Sequence, residues 1–481
     1  MSASKSPKLV LIGAGSLFFG HKLIWALNHL DGLKDADLAL VDTDPEHLAT
    51  MVQLAETVRL PGAGYTVTGH ADFREALPDA DFVVLSFSHQ NAHYRKVDCE
   101  ASERFGFRMC SGDTIGPGGL FRAMRELPKI LEIADAVAEI CPDAWLINYI
   151  NPSAVNGIAL QLHGKTRNFA LCDSLHLPYL KHNYMKQIGL DPADIDDFDM
   201  KIAGVNHFTW MLSCTFRGED MMPRIREKMI SLSGADADSG HSKARFNNTI
   251  AVQLWDIYGA CPVCVGHTKE YVPFYQGRGT VPEAVPPLAI FDGDERKEKT
   301  DQHWVRLRAW AFGETDAESF HTDLGSDHAT DIIQAIWNDS GRHFFVNTPN
   351  QGAVPNLPDD AFLELECRVD AQGVHPVPVG PFPLGLRSEQ LRILDNHELI
   401  ARGILERDTD LLRRALAVDP LTVSIGEADA VFDALYEAEN EVTGPYPPRT
   451  DSLAGRPTFA PEDTGEGFAQ GVTGVGREST R

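Results

Sequence analysis

Apolar and polar positions over the first 205 residues change period repeatedly, and the changes read as strands alternating with helices. Lys8-Leu-Val-Leu-Ile12 is apolar without alternation, as expected of a strand covered on both faces in a parallel sheet. Asp37–Val41, Asp81–Ser88 and Ala144–Ile150 repeat the pattern, and Asn168–Cys172 and Lys201–Val205 are two more strand-like runs. Leu127, Ile130, Leu131, Ala134 and Val137 fall at helical spacing and predict a helix over 120–140. The pattern is helical again over 305–345 and over 385–440, where Leu391, Ile393, Leu394, Leu411, Leu412 and Leu416 recur. Residues 231–246, rich in Ser, Gly, Asp and His, predict a loop. Residues 446–481 carry few apolar side chains and predict a disordered or surface-draped tail. The expected architecture is α/β: a parallel-sheet domain over 1–205, then an α+β domain rich in helices over 206–445 for substrate and oligomer contacts, then the tail.

The first strand runs straight into Gly13-Ala-Gly15-Ser16. Two glycines there let the backbone turn tightly and approach a pyrophosphate, which the next helix meets with its N-terminal amides. Phe18 stands where a third glycine is usual, so the turn gains its meaning from context. That context is the second strand, which ends in Asp42, a carboxylate suited to both ribose hydroxyls and repellent to a 2′-phosphate. NAD is therefore expected over NADP, with Gly13, Gly15, Ser16, Asp42 and Ser86 as its candidate contacts.

Charge and cysteine usage narrow the class. A formal charge of -26 on 481 residues argues against nucleic acid and anionic membrane partners. It suits a soluble enzyme whose substrate is neutral or is held in a locally basic pocket. No apolar run approaches the roughly 20 residues of a spanning helix, and the opening MSASKSPK lacks the apolar core of a signal peptide. Eight scattered cysteines fit a reducing cytoplasm, and Cys261-Pro-Val-Cys264, without a second pair, reads as two buried small residues.

The polar residues after the strands carry the chemistry, because ligands of an open parallel sheet bind beyond the carboxyl ends. Three such ends hold Asn151, Cys172-Asp173 and Asn206-His207. A thiolate with an imidazole suits a divalent transition metal, with water or substrate oxygens completing its shell. A buried cysteine and a hydrogen-bonded histidine without a metal fit the same residues.

Leu9–Ser16, Gly112-Asp-Thr-Ile-Gly-Pro-Gly-Gly-Leu-Phe-Arg-Ala-Met-Arg125, Cys141–Pro152, Gly204-Val-Asn-His-Phe-Thr-Trp210, His267-Thr-Lys-Glu-Tyr-Val-Pro273 and Ala417–Thr422 resemble, in order, the motifs of glycoside hydrolase family 4. The resemblance implies a Rossmann-like domain joined to an α+β domain, an NAD+ that is not consumed, and Mn2+ held by Cys172 and His207. The implied reaction departs from the two-carboxylate mechanism of most glycosidases. NAD+ oxidises C3 of the sugar, a base removes the acidified C2 proton, the C1 substituent leaves, water adds and the hydride returns. The metal stabilises the enediolate as a Lewis acid.

By the same likeness Asp173 protonates the leaving group, although it could equally cap the next segment, and Asn151, with Asn206, orients the sugar, although Asn151 could instead form an Asx turn. His267 is nearest the place of the C2 base and Tyr271 next. Arg95, Lys96 and Arg122 could reach an acidic sugar group, or each could be a solvated charge. The expected substrates are small glycosides, cleaved by an α-galactosidase, α-glucosidase or uronidase-like activity, in a cytoplasmic homodimer or homotetramer. The rival readings are an NAD-dependent 2-hydroxy-acid dehydrogenase of the lactate/malate type and a non-catalytic NAD sensor.

Overall fold

The computed structural model describes residues 6–16, 19–234, 244–281 and 285–448. Phe18, most of the 231–246 loop and nearly all of the tail therefore lie outside the described residues.

Six parallel strands form one half of a sheet: β1 (Lys8–Ile12), β2 (Asp37–Val41), β3 (Thr66–His70), β4 (Phe82–Leu85), β5 (Trp145–Asn148) and β6 (Arg167–Ala170). Their order is β3-β2-β1-β4-β5-β6. Strand order reverses between β1 and β4, and a crevice at such a point is where a nucleotide binds. Leu9, Val10, Leu11, Val83, Val84 and Leu85 are fully buried. Burying such a side chain stabilises the fold by about 1.5–3 kcal/mol, which explains the unbroken apolar runs. The long helix starts at Gly116 rather than at 120 and ends at Ile140. Its first amide, on Gly116, donates to Asp419 Oδ2 at 2.9 Å, and Asp419 Oδ1 accepts from Leu421 N at 2.8 Å. The Ala417–Thr422 motif thus holds the start of a helix distant in sequence.

The sheet then continues past β6 without a break at residue 205. Its other strands are β7 (Phe198–Val205), β8 (Phe208–Phe216), β9 (Glu219–Asp220), β10 (Cys261–Pro262), β11 (Arg342–Pro349), β12 (Phe362–Asp370) and β13 (Gly373–Pro376). From β6 the order is β11-β12-β7-β8-β10, all antiparallel, with β13 on β12 and β9 on β8. β6 meets β11 at a single registered pair, Ala170 with Asn347.

Two expectations need correction here. The run Lys201–Val205 belongs to β7, which is antiparallel because Asn206-His207 turns it at once into β8. The stretch 305–345 is not helical throughout. It holds the last seven residues of the Gly293–Ala311 helix and the helices Ala317–Asp323 and His328–Trp337, but Arg342 already begins β11. The 385–440 reading stands, as the helices Leu384–Glu406, Thr409–Val418 and Ile425–Thr443.

His397, on the Leu384–Glu406 helix, is 1% exposed, and its Nε2 lies 3.2 Å from Thr114 O, next to the site described below. Burial pushes its pKa from 6.5 down to about 3. A histidine kept neutral by the fold contributes stability that is complete above the unfolded pKa and drains away as pH falls towards the folded one. His397→Gln, which keeps a donor, is expected to remove that slope. Between about pH 7 and about pH 5 the wild type should lose about 2 kcal/mol more than the variant in urea unfolding. Parallel losses would show that His397 is not held neutral.

Candidate active site

The glycine turn is built as a cradle. Gly13 has φ +94°, and a Cβ there would fall 2.4 Å from Ser86 O, so only glycine fits. Gly13 N and Ala14 N donate to Val41 O at 2.9 and 3.0 Å, which pins the turn to the end of β2. Asp42 Oδ2 accepts from Gly15 N at 2.8 Å and Oδ1 from Asp44 N at 2.9 Å, fixing the carboxylate beside the turn. Ser16 Oγ and Ser86 Oγ are 2.7 Å apart and join the ends of β1 and β4. All five residues expected to hold the cofactor therefore converge on one crevice.

Further along the strand ends lies a second cluster. Cys172 follows β6, and its Sγ is 3.2 Å from His207 Nε2. His207 has φ +67° in the two-residue turn between β7 and β8, a backbone conformation that costs energy and persists only where surroundings impose it. Here they do. Gln390 bonds both flanks, accepting from Val205 N at 2.9 Å and donating to Phe208 O at 3.0 Å. Thr268 Oγ1 donates to His207 O at 3.0 Å and Tyr271 Oη to Asn206 O at 3.0 Å. The His267 ring stacks on His207, centroids 3.8 Å apart and planes 16° apart. Asp113, His207 and His267 bring their donor atoms within 4.8 Å of one another.

Asp113 is buried beneath this cluster and surrounded by donors. Arg122 Nη1 lies 3.1 Å and Arg95 Nη2 3.5 Å from its Oδ2, Asn151 Nδ2 donates to the same oxygen at 3.3 Å, and Ser111 Oγ donates to Oδ1 at 2.7 Å. Burial works against its charge, yet Arg95, Arg122, His267 and His207 together hold the carboxyl well below its usual range. Burial pushes His207 down to about 4, and burial beside His207 takes His267 well below 6.5. Both rings are therefore neutral and keep a lone pair. Burial raises the Cys172 thiol, against hydrogen bonds from Ser174. Glu270 is pushed up to about 7 by burial and by Asp113, while its Oε1 accepts from Ser111 N and Gly112 N at 3.0 and 2.9 Å. Glu364 on β12 is buried next to Cys172 and the Asn206-His207 turn, and burial raises it well above the carboxylate range.

The remaining candidates divide. Asp173 sits at the rim with its side chain 42% exposed, 3.5 Å from Lys22 Nζ, and Lys22 in turn reaches Asp327 at 3.0 Å. Burial and Asp327 raise its pKa against the pull of Lys22. The cap of the short turn Asp173–Leu175 is Cys172, not Asp173. Arg95 and Arg122 are buried on Asp113 rather than solvated, whereas Lys96 stays at the surface, pairing with Asp294 at 2.6 Å. Tyr271 is buried with its hydroxyl engaged on Asn206 O, the position of a support for the turn. Cys261 and Cys264 are buried, as expected. Asp113, Glu270 and Glu364 were not among the sequence candidates, although Asp113 and Glu270 stand inside quoted motifs.

A parallel nucleotide-type half-sheet with a thiol, two neutral imidazoles and an ionised carboxylate beyond its strand ends defines a class. It is a dinucleotide-fold protein with a site suited to a divalent transition metal. Residues 8–186 match the Family 4 glycosyl hydrolase and residues 202–422 the Family 4 glycosyl hydrolase C-terminal domain. This chain belongs to family 4 of the glycosyl hydrolases. It is 25% identical over 444 residues to the alpha-galactosidase of Bacillus subtilis (strain 168), covering 90% of this chain and 98% of that one. It is 27% identical over 442 residues to an alpha-galacturonidase of the same organism, covering 88% and 95%. Among solved structures, the Bacillus subtilis protein lplD aligns with a TM-score of 0.77 at 25% identity, over 89% of this chain and 99% of that one. A 6-phospho-alpha-glucosidase from gut microorganisms, in complex with NAD and Mn2+, shares the fold with a TM-score of 0.73 at 20% identity, over 91% and 99%. Among the described residues, no helix is long and apolar enough to cross a membrane.

Proposed function

We propose that this chain hydrolyses small hexosides or hexuronides with a retained NAD+ and a divalent ion such as Mn2+. The observation that carries the reading is the Cys172–His207 pair, with Asp113 and His267 beside it, next to a crevice shaped for a dinucleotide. Gly13, Gly15, Ser16, Asp42 and Ser86 would hold the cofactor. Cys172 and His207 would hold the metal, with Asp113 in reach. Once bound, the two supply oxidation at a sugar carbon and Lewis-acid polarisation of its oxygens.

The chain's own groups do the rest. Asn151, already donating to Asp113, has its amide placed to orient a sugar hydroxyl, and Asn206 stands beside the metal ligand. His267, neutral through burial, offers a ring nitrogen to the C2 proton, and its stack on His207 fixes the ring plane. Asp173, at the rim with a raised pKa, carries a proton on its carboxyl to the departing oxygen. Tyr271, Thr268 and Gln390 hold the Asn206-His207 turn in its strained shape. A cytoplasmic homo-oligomer remains part of this reading.

A panel of nitrophenyl glycosides and their uronides tests it. Nitrophenol release that requires NAD+ and Mn2+, without net growth of the NADH band, is the expected outcome. Net NADH growth would return the 2-hydroxy-acid dehydrogenase, and absence of release across the panel would defeat the glycosidase reading. The cofactor grip has its own check. Asp42→Ala is expected to weaken NAD+ binding by roughly 10- to 100-fold, the worth of a hydrogen bond to a charged group, and to narrow the preference for NAD+ over NADP+. Equal binding of the two cofactors by the wild type would remove Asp42 from the ribose.

A further inference from the structure

Apart from Asp294, the partner of Lys96, the Gly293–Ala311 helix supplies none of the residues discussed so far, yet it bridges the crevice above Asp42. One end packs on the Asn91–Glu103 helix. Gly293 leaves no room for a Cβ, which would fall 2.5 Å from Lys96 Cβ and 2.8 Å from Ala92 O. The other end packs on the Pro45–Thr57 helix. There Arg308 pairs with Glu46, Thr57 Oγ1 donates to Ala311 O at 2.7 Å, and Trp304 stacks on His47 with centroids 3.8 Å and planes 4° apart. Midway, His303 lies beside His21 of the Gly20–His29 helix, centroids 4.7 Å apart.

Between these anchorages the indole edge comes down on the glycine turn. A Cβ on Gly15 would lie 3.1 Å from Trp304 Cζ2, and equally 3.1 Å from His47 Nδ1 and Asp42 Oδ2. Trp304 and His47 therefore stand beside the place where Asp42 would grip an adenosine ribose. We propose that the Gly293–Ala311 helix is a cover over the adenosine half of the cofactor, with Trp304, backed by His47, as the aromatic face against which the adenosine packs. The inference rests on the reading that the chain binds NAD+.

The physical chemistry of the cover is consistent with that role. An indole offers a large flat apolar face that stacks well on a purine. The ends of the helix are tied by exposed ion pairs, Lys96–Asp294 and Arg308–Glu46, and such pairs hold weakly. Leu307, Trp310 and Ala311 are buried in the core, so the helix is a fixed wall over this part of the crevice and the ion pairs only secure its ends. A cofactor returned to its starting state in every turnover has no need to leave, so slow exchange does not limit the rate.

Calorimetric titration of the full-length chain with NAD+, ADP-ribose and Mn2+ tests the proposal. Trp304→Ala is expected to weaken NAD+ and ADP-ribose equally, by about tenfold or more, the scale of a lost base–aromatic stack. Mn2+ affinity should not change. Unchanged binding of both nucleotides, or an equal loss of Mn2+ affinity, would overturn the cover. Trp304→Phe, which keeps an aromatic ring and the packing, is expected to retain most of the affinity but to lose much of the energy transfer from tryptophan to bound NADH. Full transfer in that variant would also overturn it. A wild type that binds neither nucleotide would defeat the NAD+ reading itself, a failure distinct from that of the cover.

Discussion

Cys172→Ala and His207→Ala are each expected to lower kcat about 1000-fold or more, because a Lewis-acid metal contributes several kcal/mol to charge stabilisation. The loss should be accompanied by a fall in Mn2+ affinity beyond the 10- to 100-fold typical of losing a mere supporting partner. NAD+ affinity should stay within about threefold, since the glycine turn and the Cys172 cluster sit on different strand ends. Oxidants should inactivate the wild type, because a ligand sulfur must be a thiolate to bind metal. Full activity in either variant, or in protein stripped with EDTA, would remove the metal from the reaction.

The second large effect is isotopic. A hydrolase that works by direct departure of the C1 substituent never breaks the C2–H bond, whereas removal of the C2 proton by a base exposes that position to solvent. Turnover in D2O is therefore expected to yield sugar carrying deuterium at C2, and deuterium placed there beforehand should slow the reaction if that step limits it. His267→Ala should still bind NAD+ and Mn2+ but fail to exchange the C2 position. Fast turnover with no deuterium at C2 would send the search back to a pair of carboxylates. A fully active His267 variant would move the base to another group, Tyr271 first, and leave the rest intact.

Much of this was legible locally, because local physics decides it. The unbroken apolar runs of β1 and β2, the glycines that nothing larger can replace, and Asp42 at a strand end are each readable within a few residues. So were Cys172 and His207, since a strand end followed by a metal-type side chain is a short pattern. Asp113 was not, because its importance comes from partners on five other segments. Nothing near it in sequence says that Arg95, Arg122 and Asn151 converge there. The two arginines were misleading for the same reason: a charge looks solvated until the carboxylate that buries it is found. β12 was missed although Leu363, Leu365, Cys367 and Val369 alternate with Glu364, Glu366 and Arg368, the period of a strand. Alternation would also have placed Glu364 in water, yet it is buried against the site, because β12 lies inside the sheet between β11 and β7.

The single registered pair between β6 and β11 has a mechanical consequence. Every other junction along this part of the sheet is a longer ladder, so the row where Ala170 faces Asn347 offers the fewest paired residues to resist shear or opening. Cys172 stands two residues beyond that row on one side, while His207 and His267 belong to the other. Whatever bridges thiol and imidazole would therefore tie the sheet together across its shortest ladder, as a rivet does. Rigidity across this seam would then be conferred on assembly, added to what Gln390, Thr268 and Tyr271 already give the imidazole side of the centre.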